Sequence, residues 1–592
     1  MRVADYVFKF LADRGARHVF MITGGGAMFL NDAVRLEKRL TPIFSQHEQA
    51  CAIAAEGYVR AGNGIGLVSV TTGPGGTNTL TGVIGQWLDS IPVIYISGQV
   101  KFETTIMSCP ELGLRQLGDQ EINIVDIVKP VTKYAMAITD ARELKRELTK
   151  AYQMAYSDRP GPVWLDIPIN IQSQVIEEQD MYDVMMNTPV IKKPSVQDIQ
   201  SVVEHLKNAK RPVLIAGHGI RLSGAQEKLL LFAESINIPV LTTFNGMDLI
   251  PSDHALYMGR IGTLGNRAGN FVLQSADLIL TIGTRNNVRQ ISYNYENFAK
   301  NAKKIVVDID PPELNKPTLK PDLAICSDAG MFLNALWTEI RSSPYTVSAT
   351  WVSWCLERKG RFPITPPLDS HLKGHVDAYR FANLLTHETP DDVPIITGNG
   401  TACVAMFQSA FIKSGHRIFW NSGCASMGYD LPASIGAATG GKKVICVAGD
   451  GSIQMNLAEL QTVLNHKLRV KIFILDNNGY TSIRQTQNSF FGTERIGCDA
   501  SSGLQLPDML KIGTAYGYRL ETISSEPDMR DKIQRVLEGD DPVICIVKLG
   551  ENEFAPKLSA RKLPDGRIAS PSLEDLFPFL SAQEVTDNMI YP

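Results

Sequence analysis

Short, continuously apolar runs rich in Val and Ile recur along most of the chain and alternate with helical patterns. These runs are HVFMIT (18–23), GLVSV (66–70), PVIYIS (92–97), PVLIAG (212–217), LILTIG (278–283), KIVVDID (304–310), KVICVAG (443–449) and VKIFILD (470–476). Strands that are buried on both faces of a parallel sheet have this composition. The pattern therefore predicts an α/β protein built from doubly wound parallel sheets.

The chain has 592 residues, which is too long for a single hydrophobic core. Two stretches interrupt the periodicity, at 175–196 and 343–375, and they divide the chain into three pieces. We predict a first domain over 1–180, a central Rossmann-like domain over 190–345, a third domain over 370–550 and a C-terminal tail or lid over 551–592. The first and third domains are candidates for distant copies of one fold.

Composition excludes several classes of partner. The net charge is -4 and no Lys/Arg run is present, so we expect no nucleic acid partner. No apolar run reaches the length of a membrane span, and the N-terminus has the pattern of an amphipathic helix, so we expect no membrane partner and no signal peptide. The nine cysteines include no C-x-x-C pair, which favours reduced thiols in a cytoplasmic protein.

The most specific motif lies in the third piece. The turn Gly449-Asp450-Gly451-Ser452 follows one predicted strand, and Asn477-Asn478-Gly479 follows the next, with a helical pattern between them. In such a βαβ unit both strand ends lie at one edge of the sheet, where ligands bind. Asp and Asn supply hard oxygen ligands of the kind that Mg²⁺ prefers, and the helix start offers free N–H groups to a phosphate. The motif therefore predicts a site for a divalent cation and a diphosphate.

The GDG turn followed by NN at this spacing resembles the thiamine diphosphate-dependent enzymes, in particular the acetolactate synthase (acetohydroxyacid synthase)-like group. The resemblance covers nearly the whole chain. It extends to SQHEQACAIAAEGYVRA and VTTGPGGTNTLTGVIGQWLDSIPVIYISGQV in the first piece, to PVLIAGHGI and LILTIGTRNNVRQ in the central piece, and to NSGCASMGYDLPASIGAA (421–438) in the third. It implies pyrimidine-binding, central and diphosphate-binding domains in that order.

Glu48 stands where a predicted strand passes into an Ala-rich helix. The plain structural explanation is that an acid in the first helical turn complements the helix dipole. The resemblance implies a more specific role, because the family glutamate at this position binds the ring nitrogen of the cofactor aminopyrimidine. That contact promotes the tautomer that removes the proton from C2 of the thiazolium ring. In this family the site lies between two subunits, so the resemblance implies a homodimer or homotetramer.

The resemblance assigns further residues of the third piece to the cofactor. Met427 matches the bulky residue that bends the cofactor, although a core methionine would look the same in sequence. The backbone atoms of Ala425 and Gly479 would contact the pyrimidine and the metal, respectively. Thr401 lies in a loop that resembles the diphosphate-contacting loop, where related enzymes often carry Gln or His. Gly449, Asp450, Gly451, Ser452 and Asn477 complete the expected cofactor site, with Asp450, Asn477 and Gly479 as metal ligands.

Two positions in the expected substrate pocket depart from the acetolactate synthases. Gln120 resembles a family glutamine near the substrate, but Asp119 stands before it where those enzymes usually have Phe. Thr486 stands where they carry the Trp of a Gln-Trp-Gln motif that helps to select 2-ketobutyrate. These differences favour a larger or more polar acceptor, such as a keto-sugar nucleotide. Alternatively, Asp119 is simply a solvated surface residue.

The central domain binds FAD in the acetolactate synthases. Their Arg-Phe-Asp-Asp-Arg segment is Arg285-Asn286-Asn287-Val288-Arg289 here, so both arginines remain but the paired acids do not. Asp308 matches a strand end that often contacts adenosine, and Gly217 ends the first strand of the domain. Two alternatives stay open, an FAD site and a domain that has lost its nucleotide.

The leading hypothesis is a carboligase that decarboxylates a 2-keto acid, most simply pyruvate, and transfers the two-carbon unit to a carbonyl acceptor. The alternatives within the family are a 2-keto acid decarboxylase, an oxidase and a C–C hydrolase. A non-catalytic subunit is a remote alternative, because Glu48, Asp450 and Asn477 are all present.

Overall fold

The computed structural model describes residues 1–184, 191–364, 375–492, 494–550, 557–562 and 565–591. A part of each predicted linker (185–190 and 365–374) and the start of the predicted tail (551–556) lie outside the described residues. Three six-stranded sheets, in which every neighbouring pair of strands is parallel, form the framework. The predicted fold class is confirmed.

The first unit consists of one sheet and eight helices. Its strands are β1 (His18–Met21), β2 (Thr41–Phe44), β3 (Gly66–Val70), β4 (Val93–Gln99), β5 (Tyr134–Ala137) and β6 (Val163–Pro168). Its helices are α1 (Val3–Asp13), α2 (Met28–Leu36), α3 (Glu48–Arg60), α4 (Pro74–Thr77), α5 (Leu80–Asp89), α6 (Ile124–Val128), α7 (Leu144–Tyr156) and α8 (Ile169–Gln172).

The central unit follows the same alternation of strands and helices. Its strands are β7 (Pro212–Ala216), β8 (Val240–Thr242), β9 (Tyr257–Arg260), β10 (Leu278–Ile282), β11 (Lys303–Asp308) and β12 (Leu323–Cys326). Its helices are α9 (Val196–Asn208), α10 (Gly219–Leu222), α11 (Gln226–Ile236), α12 (Arg267–Ser275), α13 (Val288–Ile291), α14 (Pro311–Leu314), α15 (Ala329–Ser342) and α16 (Ala349–Arg361).

The third unit and the tail complete the chain. The strands of the third unit are β13 (Ile395–Thr397), β14 (Ile418–Phe419), β15 (Val444–Gly449), β16 (Val470–Asp476), β17 (Arg519–Ile523) and β18 (Val543–Lys548). Its helices are α17 (Ala378–Glu388), α18 (Thr401–Ser409), α19 (Asp430–Ala438), α20 (Glu459–Asn465), α21 (Thr481–Phe491), α22 (Met509–Tyr516) and α23 (Met529–Leu537). The tail carries β19 (Arg561–Lys562), β20 (Ile568–Ala569) and α24 (Ala582–Asp587).

The order of strands shows where each sheet can bind a ligand. The central sheet runs β12-β11-β10-β7-β8-β9, which is the Rossmann order with its switch point between β7 and β10. The first sheet runs β2-β1-β3-β4-β6-β5, and the third runs β14-β13-β15-β16-β18-β17. These two orders are the same, as two copies of one fold would be. In the third sheet the switch point lies between β13 and β15, and the GDG turn is at the carboxyl end of β15.

The second predicted linker differs from the structure. Residues 349–361 of that stretch form α16, whose apolar face includes Trp351 and Cys355 and joins the core of the central unit. The Trp351 indole donates a hydrogen bond to the Pro212 carbonyl oxygen at 3.0 Å. The sequence was interpreted as a linker because the last turn of α16 is charged and a Pro-rich sequence follows it. No helix of the described chain is both long enough and apolar enough to cross a bilayer.

Helices α3 and α19 join the first and third units at very short range. A Cβ atom on Gly57 would lie 2.1 Å from the Ala433 carbonyl oxygen, and one on Gly436 would lie 1.8 Å from the Ala54 carbonyl oxygen. The contact is reciprocal. Gly57 lies one helical turn after Ala54, whose carbonyl oxygen faces Gly436, and Gly436 lies one helical turn after Ala433, whose carbonyl oxygen faces Gly57. Both helices occupy the same place in their units, between the second and third strands. This close approach explains the Ala/Gly-rich composition of both helices.

Replacing Gly436 with alanine should therefore separate α3 from α19. We expect Gly436→Ala to lower the free energy of unfolding by about 1–3 kcal/mol, the usual cost of overpacking. Gly360→Ala in α16 is the matched control, because no atom of the described residues lies within 4 Å of a Cβ there. The control should be neutral or slightly stabilising, since alanine favours a helix. Urea unfolding of both variants measures the difference, and equal midpoints would contradict this account of the contact.

Candidate functional site

The GDG turn and the Asn-Asn turn meet at the carboxyl edge of the third sheet. β15 and β16 pair in parallel up to Gly449 and Leu475, so the residues that follow them are neighbours. One carboxylate oxygen of Asp450 accepts hydrogen bonds from the N–H groups of Asn477 (3.2 Å) and Gly479 (2.9 Å). The other accepts from the Gly451 N–H at 2.8 Å. The Asp450 side chain therefore fixes the geometry of both turns.

Burial raises the pKa of Asp450 to about 6, and the backbone N–H groups that it accepts from oppose this shift. Gly479 is held against the next loop, because a Cβ atom there would lie 2.2 Å from the Cys498 carbonyl oxygen, and its φ of 120° also requires glycine. A charged carboxylate in such a buried position is stabilised by a cation placed beside it.

The Asn477 side chain supplies a second oxygen at this edge. Its amide nitrogen donates to the Thr401 hydroxyl at 3.1 Å, while its amide oxygen is buried and has no hydrogen-bond partner among the described residues. A buried polar atom without a partner is uncommon and favours an ion or ligand at that position. Together with the Asp450 carboxylate it forms a pair of hard oxygen donors, which fits Mg²⁺.

The described residues contain no group of three or more His, Cys, Asp or Glu side chains that could hold a metal ion by themselves. A cation between Asp450 and Asn477 would thus need ligands from phosphate oxygens, backbone carbonyls or water. Mg²⁺ characteristically binds in this way, through one or two side chains and a phosphate. The donor set therefore fits a Mg²⁺–diphosphate pair.

Ser452 connects the GDG turn to the loop that precedes α19. Its hydroxyl donates to a carboxylate oxygen of Asp430 at 2.5 Å and accepts from the Gly428 N–H at 2.9 Å. This loop contains Ala425 and Met427, both half-buried. Ala425 has a φ of 55°, an uncommon conformation for a residue with a side chain. Such strain is retained where the surrounding structure holds a loop in a fixed shape.

Glu48 is the first residue of α3, so the plain explanation of an acid in the first turn applies. One oxygen of its half-buried carboxylate accepts a hydrogen bond from the Asn78 amide at 2.9 Å. No hydrogen bond of the described chain joins Glu48 to Asp450 or to Asn477. The structure therefore places Glu48 at the edge of the first sheet and the two candidate metal ligands at the edge of the third.

Glu459, on the helix after the GDG turn, was not identified from the sequence. This buried carboxylate accepts hydrogen bonds from the N–H groups of Gln46 (2.9 Å) and His47 (3.0 Å), which lead directly into Glu48. The third unit thus holds the segment that positions Glu48. The two ends of this contact are more than four hundred residues apart in the sequence, and no local pattern marks them.

A buried charged cluster, formed by Glu56, Arg60 and Asp89, ties the first unit to the loop that carries Ala425 and Met427. The Arg60 guanidinium contacts Glu56 at 2.8 Å and Asp89 at 2.7 Å. Asp89 also accepts hydrogen bonds from two N–H groups of the loop, at residues 422 (2.9 Å) and 423 (3.0 Å). The Tyr429 hydroxyl donates to Glu56 at 3.1 Å. Burial raises the pKa of Glu56, and Arg60 opposes that shift.

The expected substrate residues of the first unit lie on the surface of the single chain. Asp119 and Gln120 are both exposed. Gln120 has a φ of 61°, and its carbonyl oxygen would lie 2.4 Å from a Cβ atom on Gly73. The backbone of this segment is therefore fixed against the glycine-rich turn after β3, although both side chains point outward.

Thr486 lies on α21, where its hydroxyl donates to the Ser482 carbonyl at 2.9 Å. It lines a cavity of about 190 Å³ that also includes Thr401 and Asn477. The structure thus brings together the candidate acceptor residue, the candidate diphosphate loop and a candidate metal ligand. We name it the α21 cavity.

A second cavity, of about 420 Å³, opens at the switch point of the central sheet. Arg285, Arg289 and Asp308 line it. The Arg289 guanidinium also stacks on the Phe244 ring at 4.9 Å, and burial raises the pKa of Asp308 to about 6. Gly217 is buried behind the cavity, where a Cβ atom would lie 2.3 Å from the Gly283 carbonyl oxygen.

Removing the charge of Asp89 should loosen the loop that it holds. We expect Asp89→Asn to lower the free energy of unfolding by about 3 kcal/mol, because one partner of a buried ion pair is lost. Hydrogen exchange at residues 421–429 should become faster. Asp140→Asn is the control, since its ion pair with Arg142 is largely exposed and should contribute little. Unchanged exchange in the Asp89 variant would show that the loop is held by other contacts.

Three family models match the chain in succession. They are the N-terminal TPP binding domain of thiamine pyrophosphate enzymes over residues 1–125, the central domain over 199–336 and the C-terminal TPP binding domain over 398–547. Each model falls within one of the three units. The GDG and Asn-Asn turns both lie in the part matched by the C-terminal model.

Curated relatives match nearly end to end. The acetolactate synthase large subunit of Cyanidium caldarium is 30% identical over 564 residues, which cover 92% of this chain and 92% of the relative. The acetolactate synthase large subunit of Lactococcus lactis is 30% identical over 559 residues, with 93% of each chain covered. The isozyme 1 large subunit of Escherichia coli is 30% identical over 554 residues, covering 93% of this chain and 94% of the relative. With its three sheets and three matching domains, the chain belongs to the thiamine diphosphate-dependent enzymes of the acetolactate synthase-like family.

Proposed function

We propose that this enzyme is a carboligase that decarboxylates a 2-keto acid, with pyruvate as the donor, and transfers the two-carbon unit to a carbonyl acceptor. The observation that carries the proposal is the junction of the GDG and Asn-Asn turns, where a buried amide oxygen, without a partner among the described residues, lies at the same sheet edge as a buried carboxylate. Within a thiamine diphosphate enzyme family this junction favours an intact catalytic centre over a non-catalytic subunit.

Asp450, Asn477 and the Gly479 carbonyl are the proposed Mg²⁺ ligands, with the diphosphate at Gly449–Ser452 and at Thr401. In the loop before α19, Ala425 and Met427 would contact the rings of the cofactor. When bound, the cofactor supplies the carbon that attacks the keto acid and takes up the electron pair released as CO₂ leaves. The residues of the chain bind and orient it and exclude water from the reacting carbon.

Glu48 is proposed to hold a proton at the ring nitrogen of the aminopyrimidine. Its carboxylate has one oxygen on the Asn78 amide, which leaves the other oxygen available for that contact. Its place at the start of α3, behind a segment held by Glu459, keeps the carboxylate in a fixed position. A fixed position matters because proton transfer requires heavy-atom distances close to 3 Å.

A homodimer is the smallest assembly that we propose to be active, with a tetramer as the alternative. Glu48 has no hydrogen bond to the Asp450 edge of its own chain, and the exposed Asp119 and Gln120 have no place in the α21 cavity as it stands in one chain. A second copy that places its Glu48 edge against the Asp450 edge would complete the site. In an isologous dimer the same pairing of edges occurs twice, so the dimer would contain two complete sites.

A larger or more polar acceptor than 2-ketobutyrate is proposed from the pocket residues. Thr486 is exposed at the α21 cavity, and its small side chain leaves room where an indole would fill the space. Asp119 adds a polar group to the exposed segment near Gln120. A keto-sugar nucleotide fits these features, and a second 2-keto acid is the alternative acceptor.

The cavity at the switch point of the central sheet supports a bound nucleotide over a domain that has lost its nucleotide. FAD is the candidate. The cavity lies at the switch point of a Rossmann-ordered sheet, where dinucleotides bind. Both arginines of the segment line it, and they suit a pyrophosphate. Asp308, at the end of β11, is placed for a ribose hydroxyl.

A cytoplasmic location is proposed from the cysteines. All nine are free, and six of them are buried, at positions 51, 355, 403, 446, 498 and 545. Burial raises the pKa of several of these thiols, among them Cys403, so that they stay protonated and unreactive. Free thiols in this number suit a reducing compartment.

Glu48→Gln tests the proton-holding role. The amide keeps the shape and the contact with Asn78 but cannot carry the proton, so binding of thiamine diphosphate and Mg²⁺ should persist while turnover falls about 100-fold or more. Calorimetric titration measures binding and steady-state kinetics measure turnover. Glu204→Gln, exposed on α9, is the control and should behave as the wild type. Near-normal turnover in the Glu48 variant would refute the role.

Carbon-labelled pyruvate with thiamine diphosphate and Mg²⁺ tests the carboligase. NMR of the products should show the labelled two-carbon unit joined to one member of a panel of 2-keto acids and 4-keto sugar nucleotides. EDTA should stop the reaction and added Mg²⁺ should restore it. Labelled acetaldehyde, acetate or unchanged pyruvate as the only product would instead favour a decarboxylase, an oxidase or a different donor.

A further inference from the structure

The loop that follows β13, residues 398–401, lies at the switch point of the third sheet, where ligands bind. Its first residue is packed against the start of α19, because a Cβ atom on Gly398 would lie 2.2 Å from a carboxylate oxygen of Asp430. Its last residue contacts the Asn-Asn turn, since the Thr401 hydroxyl accepts a hydrogen bond from the Asn477 amide at 3.1 Å. This short loop therefore contacts segments that are expected at different parts of the cofactor.

Asn399, in the middle of this loop, was not identified from the sequence. It is only 9% exposed. Its amide nitrogen donates to the Asn421 amide oxygen and to the Ser426 carbonyl oxygen, both at 2.8 Å. Both partners belong to the segment that carries Ala425 and Met427. Asn399 is therefore attached to the segment that is expected at the aminopyrimidine ring, from a loop that also reaches the expected metal ligands.

The amide oxygen of Asn399 is buried and has no hydrogen-bond partner among the described residues. The orientation of the amide follows from its neighbours, because the Ser426 carbonyl oxygen can only accept a hydrogen bond. The nitrogen of Asn399 must therefore face Ser426, and the oxygen occupies the other branch of the amide group. A buried acceptor without a partner is uncommon and favours a hydrogen-bond donor on a ligand.

Thiamine diphosphate offers few donors to such an oxygen. Its diphosphate oxygens accept hydrogen bonds from the protein, and its thiazolium ring has no N–H group. Its aminopyrimidine ring has the exocyclic 4′-amino group and, when it is protonated, a ring N–H that is assigned to Glu48. The 4′-amino group is therefore the donor that matches an unpaired amide oxygen beside the pyrimidine-binding segment.

We propose that Asn399 is a cofactor-binding residue whose amide oxygen accepts a hydrogen bond from the 4′-amino group of the aminopyrimidine. The nitrogen of the same amide holds the segment at Asn421 and Ser426, so one side chain fixes both the ring and the segment that binds it. A fixed direction matters for a group that takes part in proton transfer. This inference rests on the cofactor placement given under the proposed function and adds the residue that orients the amino group.

A cofactor analogue with hydrogen in place of the 4′-amino group, 4′-deaminothiamine diphosphate, tests this contact through binding alone. Loss of the amino group should weaken binding to the wild-type protein about 10-fold more than binding to Asn399→Ala, because only the wild type leaves a buried oxygen without its donor. Calorimetric titration with Mg²⁺ and without substrate measures the four Kd values. The quantity compared is the ratio of the two Kd values in each protein.

Asn421→Ala is the matched control. It removes the hydrogen bond between Asn421 and the Asn399 nitrogen and so loosens the same segment, but it leaves the Asn399 oxygen in place. Both cofactors should bind this variant more weakly by the same factor, so the ratio of Kd values should equal that of the wild type. Asn399→Leu, with a side chain of similar shape, is a second variant that guards against loss of folding in Asn399→Ala.

The ratio of Kd values decides the assignment. A wild-type ratio in both Asn399 variants would overturn it, because the oxygen would then have no contact with the amino group. An equal fall of the ratio in Asn421→Ala would also overturn it, by assigning the effect to the segment instead. No substrate enters these titrations, so a lack of carboligation with labelled pyruvate would refute the proposed function and leave this assignment standing.

Discussion

Helices α3 and α19 approach so closely that each faces a backbone carbonyl oxygen of the other with a bare glycine. Most of the candidate site depends on this contact. Glu48 begins α3, and the loop with Ala425 and Met427 leads into α19. The buried charged cluster and Glu459 then fix both segments across the same junction. Buried charges are stable there because each has a partner of opposite charge or backbone N–H groups.

The fold and the meeting of the GDG and Asn-Asn turns could be predicted because their signals are local. Each predicted strand is a continuous apolar run, and all eight correspond to strands of the three sheets. The GDG and Asn-Asn turns lie one helix apart, so the rule that parallel strand ends share an edge is enough to bring them together. The assignment of Glu48 needed the family resemblance, since an acid in a first helical turn has a sufficient structural explanation.

The contacts that support the site were not predictable, because they join residues hundreds of positions apart. Asp89 accepts from the loop at 422 and 423, and Glu459 holds the approach to Glu48. Each is an ordinary charged residue with no periodic neighbours. Helix α16 was not predicted for another reason. Most of its residues are polar or charged, and only a short apolar stripe packs on the central core.

The reciprocal contact between α3 and α19 has the geometry of an isologous interface, although both halves belong to one chain. The two outer units, with the same strand order, are joined as the two halves of a symmetric dimer would be. Because the central unit links them covalently, their association is intramolecular and does not depend on protein concentration. The linking chain sets the effective concentration of one unit at the other. Dilution of the protein therefore leaves this internal pair intact.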